Sequence, residues 1–229
     1  MTKAADISII LPILNESETL RRELPRLQQL NQQGCELIFV DGGSRDDSVA
    51  QLSAAGMRVE HSAPGRAKQM NLGAGLATTE RLLFLHVDTR LPDQAPALIC
   101  TALSKDQGGQ WGRFDVSIEG QHPMLKCVSW MMNLRSRLTG MATGDQALFI
   151  RRDLFNRVGG FPQQALMEDI EISRRLKQQA RPVCLKAKVQ TSGRRWEQRG
   201  VWRTILLMWR LRFAYWRGVP GDQLARLYR

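Results

Sequence analysis

Glu16, Asp41, Asp88 and the adjacent pair Glu168-Asp169 stand where carboxylates do chemistry. The first three each follow closely on a short apolar run: Ile7–Leu11, Glu36–Val40 and Leu82–Leu85. Runs of that length suit strands buried on both faces of a parallel sheet. Carboxylates leaving such strands at one edge lie where open α/β sheets bind ligands. Three of them suit a nucleotide. Asp41 could accept hydrogen bonds from a base or ribose, and Asp88 could hold a divalent ion against a diphosphate. Magnesium and manganese favour a few carboxylate oxygens together with substrate phosphates. The plainer role for the same residues is capping and turn formation. Glu168 and Asp169 open a helical pattern, where acids also complement the helix dipole. A P-loop sequence is absent, and Gly73-Ala74-Gly75 lies inside a helical pattern rather than after the first strand.

The elements that must position these residues alternate strand and helix. After the first strand, Asn15 with Glu18 three residues on resembles a capping box. A helix follows with Leu20, Leu24, Leu27 and Leu30 as its stripe, kinked at Pro25 and ended by Gly34. Further helices are expected from about Asp46 and over Arg66–Ala77, with a short strand at Met57–Glu60 between them. That order implies right-handed crossovers and a parallel sheet. Beyond Pro92 we expect helices at Pro96–Ser104, Pro123–Leu138 and Glu168–Gln179. Strands are expected at Trp111–Ile118 (alternating, hence half exposed), Gln146–Arg151 and Pro182–Lys188.

The stretches ISIILPILNESETL, ELIFVDGGSRDDSV, GRAKQMNLGA, LLFLHVDT, TGDQALFIRR and MEDIEIS, in this order, resemble the motif set of family 2 glycosyltransferases. The likeness runs from about Ile7 to Gln190 and is strongest to a small bacterial branch labelled arsenosugar-biosynthesis-type. It implies a GT-A fold: a Rossmann-related, mostly parallel central sheet flanked by helices. It also implies inverting transfer of a sugar from a UDP- or GDP-sugar with a divalent metal ion, Mn or Mg. On this resemblance Pro12, Asn15 and Glu16 line the nucleotide pocket and Asp41 contacts the base, with Arg66 and Lys68 nearby. Asp88 becomes the metal ligand, as the last acid of a D-x-D motif whose first Asp is here His86, with Val87 between them on the donor side. Asp169 matches the catalytic base, with Glu168 beside it, and Asp145 falls near the acceptor. Arg194-Arg195-Trp196 resembles the end of a Q-x-x-R-W motif, with Ser192 in place of Gln. Arg195 would then touch the diphosphate, and Trp196 would lie on the acceptor side.

Sugar transfer needs charge neutralised on the departing diphosphate and a carboxylate to take the acceptor's proton, so the resemblance and the residue types agree. Two other readings fit parts of the chain: a nucleotidyltransferase acting on a sugar phosphate, and a basic nucleic-acid-binding protein. Among 229 residues, 33 basic and 22 acidic side chains leave a net charge of +11, which suits phosphate-bearing partners. Against nucleic acid, no binding motif is present and the arginines cluster at one end. The four cysteines form no C-x-x-C pair and read as reduced, mostly buried thiols of a cytosolic protein. No signal peptide and no uninterrupted apolar stretch long enough to span a membrane is expected.

Residues 1–193 are expected to form the catalytic unit, with a nucleotide part over about 1–92 and an acceptor part over about 93–193. Residues 194–229 carry nine arginines against two acids, so +7 of the +11 lies there. On one helix Arg199, Arg203, Arg210 and Arg217 would form a narrow stripe, with tryptophan, leucine and phenylalanine covering most of the remaining girth. Such a basic amphipathic helix suits an anionic membrane surface through residues 199–217 and a peripheral position on the inner face of the cell membrane. Packing as a homodimer is the rival.

Overall fold

The structure, a computed structural model, describes residues 6–228, with every side chain among them except that of Arg195. Strands β1 (Ser8–Ile13), β2 (Glu36–Asp41), β3 (Val59–His61) and β4 (Arg81–Phe84) run parallel, in the spatial order β3-β2-β1-β4. Between them lie the helices α1 (Ser17–Gln32), α2 (Ser48–Ala54) and α3 (Arg66–Leu76). Residues of β1 and β2 alternate between the two faces of the sheet, and both faces are buried. Ile9, Leu11 and Phe39 join the core on the α1 side, while Ile10, Ile38 and Val40 join the core that includes Met70 and Ala74 of α3. Gly73 lets α3 lie against β1, because a Cβ there would come within 2.5 Å of the Ile10 Cγ2.

The second half makes the sheet mixed rather than mostly parallel throughout. After β5 (Thr89–Arg90) and α4 (Ala95–Ala102) come β6 (Trp111–Glu119), α5 (Met124–Thr139), β7 (Leu148–Arg151), α6 (Arg152–Arg157), α7 (Glu168–Gln179) and β8 (Val183–Ser192). Strand β7 pairs antiparallel with β4 and β6, β6 runs parallel to β8, and β5 pairs antiparallel with β8. One eight-stranded sheet results among the described residues, in the order β3-β2-β1-β4-β7-β6-β8-β5.

Four local expectations need correction. Helix α1 starts at Ser17, not Asn15, and no side chain at its first residue caps it. The N–H groups at its start find partners at the start of α2 and just before it: Glu16 N–H donates to Ser48 Oγ at 2.8 Å and Ser17 N–H to the Asp46 carboxylate at 2.9 Å. Strand β6 is buried along most of its length rather than half exposed, because Phe114, Val116 and Ile118 pack with α5 and Trp111 packs with Ile172 and Leu176 of α7. Its polar alternation is internal: Arg113 pairs with Asp115, which also accepts from Arg137 at 2.6 Å. Only Cys35 of the four cysteines is buried, and Cys127 is exposed. The C-terminal segment is three helices, α8 (Arg194–Arg199), α9 (Val201–Trp216) and α10 (Gly221–Tyr228), and not one. Gly200, at φ +83°, breaks the chain between the first two, so Arg199 does not share a helix with Arg203 and Arg210. No helix among the described residues is long and apolar enough to cross a membrane.

Candidate active site

The carboxyl ends of β1, β2 and β4 share one edge, since the three strands are parallel. At the nucleotide side of that edge, Asp41 is buried at the end of β2, and its carboxylate accepts hydrogen bonds from Gly43 N–H at 3.0 Å and Ser44 N–H at 3.1 Å. Burial opposes its charge, but those bonds and His61, whose Nδ1 lies 3.4 Å away, hold it below the usual carboxylate range. Asn15 adopts the left-handed conformation at φ +55°, where its side-chain oxygen accepts from Arg45 N–H at 2.8 Å. Pro12 is half-buried on β1, and the Glu16 carboxylate accepts from the Thr19 hydroxyl at 2.7 Å.

Where β4 ends, a cavity of about 490 Å³ opens between the sheet, α5, the start of α7 and α9. Arg66, His86, Asp88, Asp145, Glu168, Asp169 and Trp196 line it together, although they come from five separate parts of the chain. Asp145 sits in a single 3-10 turn, Gly144–Gln146, just before β7. His86 Nδ1 lies 3.5 Å from its Oδ1, and the imidazole packs over Gly144 so closely that a Cβ there would be 2.7 Å from Nε2. Gly144 N–H in turn donates to the Asp169 carboxylate at 3.1 Å, as does Ile170 N–H at 2.8 Å.

Charge at this point is unfavourably crowded. Burial pushes Glu168 above the usual carboxylate range, with the Asp169 charge adding to the rise and Arg66 and His86 opposing it. Burial likewise raises Asp169, against its two backbone hydrogen bonds; Asp145 adds to the rise and Arg66 opposes it. A raised carboxylate beside a second one in a cleft is a proton-transfer candidate.

Several expected site residues lie elsewhere. Val87 is buried in the core, Lys68 is exposed on α3 outside the cavity lining, and Pro12, Asn15, Glu16 and Asp41 follow the sheet edge beyond it. The Arg195 side chain lies outside the described residues. Sequence reading missed Arg135, which lines the cavity from α5, and the inner face of α9 with Ile205, Met208 and Arg212. It also missed His61 beside Asp41. One local signal accompanies the site: the non-glycine residues of positive φ among the described residues are Asn15, Ala147 and Met167. Each is, or stands within two positions of, a candidate residue, and such strain concentrates at functional sites.

Among the described residues no three His, Cys, Asp or Glu side chains converge to hold a metal ion. Asp88 on the cavity wall offers one hard carboxylate, which suits an ion taking its remaining oxygens from a diphosphate and water.

The chain is 30% identical over 170 residues to an uncharacterised glycosyltransferase of Mycobacterium tuberculosis, covering 70% of this chain and 64% of that protein. It thus spans less than two thirds of the length of this relative. Solved structures share the fold. TarS residues 1–349 of S. aureus, in complex with UDP-GlcNAc, gives a TM-score of 0.64 at 16% identity, over 81% of this chain and 58% of that one. The mannosyltransferase PcManGT of Pyrobaculum calidifontis, in complex with GDP-Man and Mn2+, gives 0.60 at 17%, over 93% and 62%. The model of the family described as glycosyl transferase family 2 matches residues 8–156, from the first strand to the helix after β7, and the chain belongs to that family.

Proposed function

We propose that this protein transfers a sugar, with inversion, from a nucleotide diphosphate-sugar to a hydroxyl-bearing acceptor. The observation that carries the reading is the meeting of Asp88, His86, Asp145 and Asp169 in one cavity at the carboxyl edge of the parallel strands. Solved structures of the same fold in complex with UDP-GlcNAc or GDP-Man support a donor of that class. The acceptor oxygen bonds to the sugar carbon as the bond from that carbon to the diphosphate breaks. The nucleoside diphosphate leaves with the bonding pair, and Asp169 takes the acceptor proton. Its raised affinity for protons fits a base that must accept one. Asp41 and Asn15 hold the nucleotide at the outer edge, Glu16 and Pro12 shape that pocket, and Arg66 adds positive charge at the cavity. Asp88 would hold a divalent ion, Mn or Mg, which supplies charge neutralisation to the departing diphosphate when bound. His86 and the Gly144 amide orient Asp145 and Asp169 toward the acceptor, with Trp196 on the same side.

Helix α9 supports a peripheral position on an anionic membrane surface: Trp202, Leu206, Trp209, Phe213 and Trp216 are exposed on one face, beside Arg203, Arg210 and Arg217. The motif likeness to the arsenosugar-type branch brings no acceptor with it. A thermal-shift panel of UDP- and GDP-sugars with and without manganese tests the donor half. A true donor at 100 times its dissociation constant stabilises the protein by about 2.7 kcal/mol, whereas no response to any nucleotide sugar refutes the reading.

A further inference from the structure

One part of the cavity lining is mostly apolar. Val128, Met131 and Met132 of α5 and Ile205, Met208 and Trp209 of α9 contribute to it, and the same two helices add Arg135 and Arg212. Apart from those two arginines this wall offers thioethers, an indole and branched aliphatics, the composition of a site for an adaptable apolar chain.

Both helices carry an exposed apolar stripe. On α9, Trp202, Leu206, Trp209, Phe213 and Trp216 recur every three or four residues and are all exposed, Trp216 by 79%. On α5, Trp130, Leu134 and Leu138 recur every four residues with Met131 beside them, and all are exposed, Leu138 by 77%. Each stripe meets the cavity through one shared residue: Met131 and Trp209 are exposed and also line it. Apolar surface is therefore continuous from the outside of the molecule to the cavity. Arg203, Arg210 and Arg217 flank the α9 stripe one position on, which matches a surface whose apolar interior lies under anionic headgroups.

We infer that the acceptor is a hydroxyl-bearing amphiphile drawn from a lipid phase, its alkyl chain leaving the cavity between Met131 and Trp209 while its hydroxyl meets Asp169. This rests on the glycosyltransferase reading above and names the acceptor class for it. The chain contributes binding outside the reacting centre, and the hydroxyl proton still passes to Asp169 as the nucleoside diphosphate departs.

The test uses the full chain with manganese and UDP or GDP, and n-alkyl β-glucosides from hexyl to decyl, kept below their micelle concentrations and titrated calorimetrically. The dissociation constant should fall about four-fold per added methylene, the factor for burying one CH₂. The substitutions M131Q and W209Q should each flatten that dependence. The substitutions L138Q and W202Q, on the same stripes but off the cavity wall, should leave it intact while weakening adsorption to phosphatidylglycerol vesicles. A dissociation constant independent of chain length, or a dependence that survives in the M131Q/W209Q double variant with its fold intact by circular dichroism, overturns the inference. So does a wild-type dimer in sedimentation that W209Q turns into a monomer, since a second copy would then cover the stripe. Nucleoside diphosphate affinity is measured on the same samples. Tight UDP or GDP binding without chain-length dependence removes this inference alone, and its absence removes the glycosyltransferase reading.

Discussion

The Asp169 carboxylate accepts a hydrogen bond from the Gly144 N–H at 3.1 Å, which ties the first turn of α7 to the 3-10 turn carrying Asp145. Two acids distant in sequence are thereby fixed against one another, and the His86 ring, packed over the same glycine, completes the contact.

That packing makes Gly144→Ala informative. The backbone at 144 has no positive φ, so alanine is conformationally acceptable, but its Cβ would meet His86 Nε2 at 2.7 Å. We expect the ring to be displaced from Asp145 and turnover to fall by about 10²-fold, the usual cost of an ångström-scale misplacement. Thermal melting should change little. Unaltered kinetics with normal stability would show that His86 plays no part in positioning.

The crowded carboxylates predict a pH dependence. Because Asp169 is raised above the usual range, the transfer rate should climb with pH on a limb lying above about pH 4. Arg66→Gln removes a charge that lowers the Asp169 pKa, so the limb should move to higher pH; Asp145→Asn removes one that raises it, so the limb should move lower. The sign for stability is opposite to that of an ion-paired acid. A carboxylate raised in the folded state contributes stability below its unfolded pKa and loses it as pH rises through the folded value. The melting difference between Asp169→Asn and wild type should therefore shift in favour of the variant as pH rises from 4 to 7. Melting curves at the two values decide the point.

Away from the site, Glu23 of α1 anchors the far side of the sheet. Only 2% exposed, it takes hydrogen bonds from Arg90 at 2.8 Å, Arg22 at 2.9 Å and Arg26 at 3.3 Å. Burial works against its charge, but the bonds from Arg90 and Arg22 bring it down to about 2. Glu23→Gln leaves the partly buried Arg26 without its countercharge and should cost about 1–3 kcal/mol by chemical denaturation. In the wild type this contribution is complete above the unfolded carboxylate pKa and fades as pH falls toward 2.

Asp88→Asn separates metal from nucleotide. The substitution should weaken the manganese-dependent part of UDP or GDP binding and leave the metal-independent part and the fold in place. Calorimetry with and without manganese checks it, and metal dependence equal to wild type would remove Asp88 from the donor site.

The parallel half of the sheet was legible because its strands are buried on both faces and so read as plain apolar runs, Ile7–Leu11 and Leu82–Leu85 among them. Helix α7 was legible as Glu168–Gln179 because its amphipathic spacing is uninterrupted. Strand β6 misled because Arg113 and Asp115 mimic a solvent face while pairing with one another inside. The C-terminal segment misled because the arginine spacing at 199, 203, 210 and 217 runs across Gly200, and one glycine in a strongly helical stretch is a weak stop signal. Of the site, the individual acids could be picked out from motif order. The approach of His86 to Asp145, and the apolar wall from α5 and α9, depend on how distant segments pack, and no local pattern encodes that.

The most direct measurement is the transfer rate of Asp169→Asn set beside its donor affinity on the same folded preparation. Asparagine keeps the shape and its one oxygen can still accept from the Gly144 N–H, at the loss of the bond from Ile170 N–H, but it cannot take the acceptor proton. Turnover should fall by about 10²–10⁴ with donor binding nearly unchanged. Near-normal turnover would mean that the proton goes elsewhere, and would contradict the assignment of Asp169 as the base.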